Sequence, residues 1–404
     1  MGGKVLLLGM GMQGSAALYD LVKSEAVDYI TVVDNKTDLD EKLRNYDNVK
    51  GISLDIENDQ KDLINLMENA DVVVELLPAK FTFPVAKMAV QVGKNLVSAM
   101  YFNDPGEEDP VKVQERRQDI NALDNLAKEK GIIMLSEFGM DPGLDLIIGK
   151  KAIEEFDEVV DFYSYGAGFP EFSCANNPLK YKFTWSITGV LMSYLRPAVI
   201  IKNGNIMEIA AREIFAEKNR HYLQIDELGD ALESYPNGNS VHYAELLGIK
   251  NSVQNMARFT CRWPGHGDFW ERMARCGFLD RKPISVGKLQ ISPLEFCAAL
   301  LGGQKQFYYG PQERDVALIR VDVRGIKDGK EQRVIYQVID YRDLDTGLTA
   351  MSRTTGFTAS IGAQLILKGK ITKKGLLTPL DIPYGMVEDE ISMRGIKVEK
   401  NISN

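Results

Sequence analysis

The stretch Lys4–Asp34, KVLLLGMGMQGSAALYDLVKSEAVDYITVVD, constrains the fold more than any other part of the chain. Val5–Leu8 is an apolar run of strand length that stops at Gly9, and a helix-spaced pattern of Ala16, Leu18, Leu21 and Val22 follows. Gly9, Gly11 and Gly14 therefore fall on a strand-to-helix turn. There Gly9 permits the tight turn, Gly11 lets the backbone approach a pyrophosphate, and Gly14 lets the helix sit closely on the strand. Met12 and Gln13 stand at the helix start, whose unpaired N–H groups attract an anion. A second strand, Tyr29–Val33, ends in Asp34, about 20 residues beyond Gly14, as a dinucleotide-binding turn requires. Asp34 at that place accepts hydrogen bonds from ribose hydroxyls and repels a 2′-phosphate, which favours NAD; Lys36 close by leaves NADP open.

Strand and helix signals keep alternating. Val49–Ile56, Asp71–Leu77, Asn95–Ala99 and Ile132–Leu135 read as strands; Lys61–Asn69, Pro84–Val92 and Glu107–Lys130 read as helices. The expected fold is α/β, a Rossmann doubly wound parallel sheet followed by an α+β substrate domain with a mixed sheet. Ligands of such sheets gather outside the carboxyl ends of the strands. That rule selects four strand ends: Asp55 and Ile56; Leu76, Leu77 and Pro78; Ser98–Tyr101, with Met100 and Tyr101; and Phe138–Gly143, with Gly139 and Asp141. Leu76–Pro78 serves either as an apolar wall with backbone donors for the cofactor or as ordinary strand-end packing.

A chain of 404 residues exceeds one typical core. The boundaries expected are 1–140 for the cofactor domain, 141–350 for the substrate and dimerisation domain, and 351–404 for a helix and tail that pack back on the first. The formal net charge of -9 disfavours nucleic acid or an anionic membrane as partner, since both need a basic surface. No apolar run reaches membrane length, and the first residues enter a strand at once, so a cytoplasmic protein is expected. Cys174, Cys261, Cys276 and Cys297 are scattered without a CxxC pair, which suggests neither a metal site nor a disulfide framework.

Beyond Gly143 the pattern changes. Leu144–Phe156 reads as a helix and Glu158–Ala167 as a strand, and then Gly168–Gly189, GFPEFSCANNPLKYKFTWSITG, is too rich in polar, aromatic and turn residues for one regular element. From Ile200 to Val338 the signals are mostly β, with an Asn203–Gly204 hairpin turn and helices at Asp268–Cys276 and Pro293–Leu301. Thr355–Lys368 reads as an apolar helix.

The segments VLLLGMGMQG, FGMDPGLD at 138–145, NNPLKYKFTWSITGVL at 176–191, MARFTCRWPGH at 256–266 and TTGFTASIGAQLILKGKITKKGLLTP at 354–379 resemble the saccharopine dehydrogenase family. That family includes glutamate-forming saccharopine reductases and lysine 6-dehydrogenases. NNPLKYKFTWS is similar to the reductase segment that helps to bind the branched amino-acid substrate. The turn at 328–331, AMSRTTGFT, ITKKG and Gly265–His266 are closer to the lysine enzyme. The resemblance implies an amino-acid substrate, a homodimer, and hydride transfer between an amine-bearing carbon and a nicotinamide, with an imine formed and hydrolysed. A dinucleotide-binding sensor without turnover is the alternative of a different class.

Such a substrate needs cationic partners for its carboxylates. Arg258 and Arg262, four apart in a strand-like segment, share one face and match an arginine pair of the family, with Arg258 ahead of Arg262 as the carboxylate partner and a solvated pair as the alternative reading. Asn176, Asn177, Lys182 and Trp185 are carried over from the similar loop, as polar contacts and a wall. For proton transfer, His266 is either a surface-loop ring or a catalytic one. Asp141 either holds the substrate amine or caps the helix ahead of Pro142, and Tyr101 is a further acid/base candidate.

Overall fold

The computed structural model describes residues 2–36, 38–104, 106–107 and 109–403. The chain divides into two compact units, Met1–Ile147 with Ser352–Gly395, and Ile148–Met351 with Ile396–Asn404. In chain order the first run is β1 (Gly3–Leu8), α1 (Met12–Leu21), β2 (Val27–Asp34), α2 (Leu39–Leu43), β3 (Val49–Ser53), α3 (Gln60–Glu68), β4 (Val72–Glu75), α4 (Ala79–Gln91), β5 (Asn95–Ser98), α5 (Pro110–Glu129) and β6 (Ile133–Leu135). The second run holds α6 (Leu144–Ile153), β7 (Glu158–Pro170), α7 (Ile187–Ser193), β8 (Ala198–Lys202), β9 (Asn205–Ile209), β10 (His221–Leu223), β11 (Leu232–Pro236), α8 (Ser240–Leu246) and β12 (Asn255–Arg262). It continues with α9 (His266–Arg275), β13 (Ile284–Val286), β14 (Leu289–Ile291), α10 (Pro293–Gly302), β15 (Asp315–Lys327) and β16 (Lys330–Tyr341). The tail is α11 (Ala350–Leu367), β17 (Gly375–Leu377), α12 (Tyr384–Met393) and β18 (Glu399–Ser403).

The first unit is a parallel sheet in the order β17-β6-β5-β4-β1-β2-β3. Its central strands are covered on both faces, which is why β1 and β4 read as unbroken apolar runs. Strand β17 completes the sheet beside β6, an element the polar ITKKG lead-in concealed. Helix α4 starts at Ala79 rather than at Pro84, because its buried face already begins with Thr82 and Phe83. Helix α5 starts at Pro110, with Asp109 accepting from the Val111 N–H at 2.9 Å.

The second unit carries a mixed sheet, β10-β11-β12-β7-β15-β16-β18, with β8 and β9 attached beside β12. Its core joins Tyr165, Phe169, Tyr181, Phe215, Trp263 and Trp270 to the aliphatic face of β12 and β15. Residues 396–404 belong to this unit rather than to the first, because β18 pairs antiparallel with β16. Among the described residues no helix is long and apolar enough to cross a membrane.

Within the first unit the tail is fastened to the helix that follows the glycine turn. A Cβ on Gly356 would lie 2.4 Å from the Gln13 carbonyl, so α11 can approach α1 only through a glycine. Buried Asp20 accepts from Arg394 Nε at 2.6 Å, Ser360 Oγ at 2.6 Å and Gln364 Nε2 at 2.8 Å. Asp20→Ala removes the shared acceptor of these three donors and should destabilise the first unit by about 1–3 kcal/mol, since buried donors lose their acceptor while Arg394 keeps Glu390 at 2.7 Å as its remaining partner. Chemical denaturation checks this; a change below about 0.5 kcal/mol would show that the network contributes little.

Candidate active site

Gly9 has φ +95°, and a Cβ there would lie 2.7 Å from the Leu76 carbonyl, so the turn after β1 touches the end of β4 directly. A Cβ on Gly14 would stand 1.9 Å from the Gly9 carbonyl, closing off every other residue. Gly11 is different: an added Cβ meets nothing within 4 Å. The protein itself does not need glycine at that place. The open space over Gly11, at the N-terminus of α1 with Met12 exposed and Gln13 half-buried beside it, fits the close approach of a pyrophosphate.

Asp34, at the end of β2, accepts from the Met10 N–H at 2.6 Å and the Lys36 N–H at 3.1 Å, while Lys36 Nζ donates to the Met10 carbonyl at 3.2 Å. The acid and the glycine turn are thus one structure, and lone pairs remain on the carboxylate for ribose hydroxyls. Asp55 is exposed and closes its own turn, accepting from Glu57 N–H and Asn58 Nδ2, and Ile56 is buried. Leu76 and Leu77 are half-buried and Pro78 exposed at the start of α4. The Glu137 N–H donates to Met100 and the Phe138 N–H to Ser98, which sets Gly139 beside the end of β5. Tyr101 and Asp141 are half-buried in the same unit. Helix α6 begins at Leu144, and it is Asp145 that accepts from the Gly143 N–H, at 2.9 Å.

In the second unit β12 presents Arg258 and Arg262, both buried, on one face with Thr260 between them. Arg258 lies 4.1 Å over the Tyr243 ring. Arg262 lies 4.6 Å over the Tyr181 ring and donates to Thr260 Oγ1 at 3.1 Å and the Cys261 carbonyl at 2.7 Å. Its Nε is buried without a partner, and among the described residues no carboxylate lies within 4.0 Å of its guanidinium. Glu233 is its cross-strand neighbour, yet that carboxylate accepts from the Gly265 N–H at 3.1 Å, the Gly267 N–H at 3.2 Å and the Tyr235 hydroxyl. Glu233 therefore holds the start of α9 and leaves Arg262 uncompensated.

His266 opens α9 and is fully buried. Nδ1 faces the Leu179 carbonyl at 2.8 Å, so it carries the proton, and Nε2 accepts from the Tyr194 hydroxyl at 2.9 Å. Burial first, and then the Arg262 charge, push its pKa down to about 3. The ring is neither on the surface nor a ready proton carrier. It is a neutral strut that ties the 168–189 loop and Tyr194, at the end of α7, to the start of α9.

The other loop residues differ in how far the protein itself engages them. Asn177 accepts from Leu179 and Tyr181 N–H and donates to the Tyr181 and Gln306 carbonyls, which uses its whole amide. Lys182, buried, is paired with Glu313 at 2.6 Å, so its charge is offset inside the protein. Asn176 is exposed. Trp185 is half-buried against the core, where a Cβ on Gly189 would sit 2.5 Å from its ring.

Residues 5–135 match the family model described as saccharopine dehydrogenase NADP binding domain, and residues 139–396 match that of the saccharopine dehydrogenase C-terminal domain. The chain belongs to the saccharopine dehydrogenase family. It is 25% identical over 466 residues to saccharopine dehydrogenase [NADP(+), L-glutamate-forming] of Schizosaccharomyces pombe, covering 98% of each. It is 26% identical over 456 residues to the mitochondrial alpha-aminoadipic semialdehyde synthase of Bos taurus, covering 97% of this chain and 47% of that protein. The chain thus spans about half the length of the synthases it matches. Apo saccharopine dehydrogenase (L-Glu forming) from Saccharomyces cerevisiae superposes with a TM-score of 0.83 at 23% identity over 100% of both chains, which shows the fold. The first matched part of the chain is thus the dinucleotide-binding domain of that family. The NADP in the family description and in the fungal names runs against the NAD preference read from Asp34.

Gly11→Ala should leave the melting temperature within about 2 °C of the parent and weaken dinucleotide binding by at least tenfold, about 1.4 kcal/mol. Gly14→Ala should lower both. Equal binding by Gly11→Ala would remove the open cradle from the cofactor site.

Proposed function

We propose that the chain carries out NAD(P)-dependent oxidoreduction at a C–N bond of the saccharopine type, cleaving or forming the secondary amine between an amino-acid aldehyde and glutamate. The observation that carries this reading is Arg262, a desolvated guanidinium with an orphaned Nε and no carboxylate partner among the described residues. Ring contact with Tyr181 contributes about 2 kcal/mol when desolvated, and two charged hydrogen bonds about 1.5–3 kcal/mol each. Removing a guanidinium from water costs several kcal/mol, so a substrate carboxylate has a strong gain to make there. Arg258 on the same strand face is the further cation of a substrate that carries three carboxylates. Lysine, with one carboxylate, has fewer groups to place against these two cations.

The bound dinucleotide supplies the hydride chemistry. The chain's own residues would hold and orient: Arg262 receives a carboxylate, Glu233 and His266 hold the start of α9 against β11 and the 168–189 loop beside it, and Trp185 forms a wall. Asp141 and Tyr101 remain the candidates for moving the amine proton. Between the dinucleotides, Asp34 with its free lone pairs supports NAD, while Lys36 offers a cation for a 2′-phosphate. Dimerisation has its support in the hairpin β13–β14, where Ile284, Val286 and Leu289 share an exposed face.

Reduced-nicotinamide absorbance, followed with NAD or NADP and with saccharopine or lysine, tests the reading. Turnover with saccharopine is expected. Turnover with lysine alone would make the chain a lysine 6-dehydrogenase, and cofactor binding without turnover would make it a binder. Arg262→Met should lower kcat/KM for saccharopine by about a hundredfold or more, about 2.7 kcal/mol, while keeping or raising stability, because it removes an uncompensated buried charge. Loss of stability with unchanged kcat/KM would make Arg262 a structural residue instead.

A further inference from the structure

Glu75 is an acid at the carboxyl end of a buried parallel strand, and nothing described so far uses it. It ends β4, is completely buried, and lies directly before Leu76–Pro78. Its Oε1 accepts from the Leu77 N–H at 3.0 Å and from Thr82 Oγ1 at 3.4 Å. Its Oε2 accepts from Ser98 Oγ at 2.5 Å, and Ser98 Oγ in turn accepts from the Met100 N–H at 3.1 Å. One carboxylate therefore fixes the backbone on both strand-end loops beside the glycine turn, and Gly9 packs on the first of them.

We propose that Glu75 is a positioning residue for the dinucleotide, a proton-sensitive clasp between the loops after β4 and β5. This rests on the dinucleotide site assigned to those loops. The ionised form suits the surroundings, since all three groups around it donate. A protonated carboxyl can donate only to a hydroxyl, Ser98 Oγ or Thr82 Oγ1, and either bond then runs opposite to its present direction. Protonation then removes the charge that strengthens the head-to-tail chain from the Met100 N–H through Ser98 to Glu75, and the loop after β5 is held less firmly.

Burial raises the Glu75 carboxyl to about 7, and its hydrogen bonds to Ser98, Leu77 and Thr82 only partly oppose this. No charged neighbour contributes. Glu75 stands opposite Leu8 on β1 and Ser98 on β5. The titratable groups on the packed elements are Lys4 at the far end of β1, and Lys80 and Lys87 of α4, which pair with Glu57 and Asp119. The three histidines all belong to the second unit.

The sign is opposite for folding and for binding. A carboxyl raised from 4.5 to about 7 contributes stability that is complete below pH 4.5 and lost as pH rises through about 7. The ionised clasp that costs stability is the one that orders the cofactor loops. NADH binding without substrate, followed by fluorescence from pH ~5.5 to ~8.5 alongside thermal unfolding, separates the two effects. Wild type should bind NADH about fivefold more tightly as pH rises through about 7. Glu75→Gln should bind weakly at every pH, and its melting temperature should gain on wild type as pH rises. Ser98→Ala, which cuts the relay to Met100 and keeps Glu75, should also weaken NADH binding. A pH dependence retained in Glu75→Gln, or a flat profile in a wild type that binds NADH, would overturn the clasp alone. Failure of wild type to bind any dinucleotide would overturn the cofactor site and the clasp together.

Discussion

Arg262 is the charge around which the second unit is arranged. A guanidinium removed from water without a carboxylate is a costly choice for a folded protein. Here the acid opposite it in the sheet, Glu233, is turned to the start of α9 and to Arg220, 3.7 Å away. The ring of Tyr181 covers one face of the guanidinium, and His266, which could compete as a base, is held neutral between Leu179 and Tyr194. Strand β12, helix α9 and the loop at 168–189 thus cooperate in keeping a cation unpaired. That arrangement makes sense when the missing counter-ion arrives with the substrate.

The first unit is governed by contact between backbones. Gly9 meets Leu76 and Gly14 meets Gly9, so the turn after β1, the end of β4 and helix α1 form one rigid corner, and Gly356 lets α11 reach the same helix. Asp34 joins that corner through Met10, and Glu75 through the loop that Gly9 touches. Among the three glycines of the turn, space is left open over Gly11 alone. The cofactor end of the sheet is held by main-chain geometry and two carboxylates, and Asp34 and Lys36 stand at the place where the two dinucleotides differ.

Much of this was legible in the residues. Periodicity located most of the parallel strands, because buried strands read as apolar runs, and the glycine spacing with Asp34 located the corner. Long-range partners were not legible. Helix α11 begins at Ala350 and not near Thr355 because Asp315 accepts from the Ala350 and Met351 N–H groups at 2.8 and 3.1 Å. Lys182 looked available for a substrate until Glu313, far along the chain, appeared beside it. Glu233 gave no local signal within LESYP. Glu75 did give one, since a single acid inside VVVELLP is out of place in a buried strand, and that exception to the pattern was the clue to read.

The crystal structure of the chain with saccharopine and oxidised dinucleotide tests the central claim most directly, since it shows where the missing counter-ion sits. A substrate carboxylate within about 3 Å of the Arg262 guanidinium, with Arg262 still resting on Tyr181, is the predicted result. A substrate bound elsewhere, with Arg262 still lacking a carboxylate, would mean that the buried charge serves the fold and not the substrate.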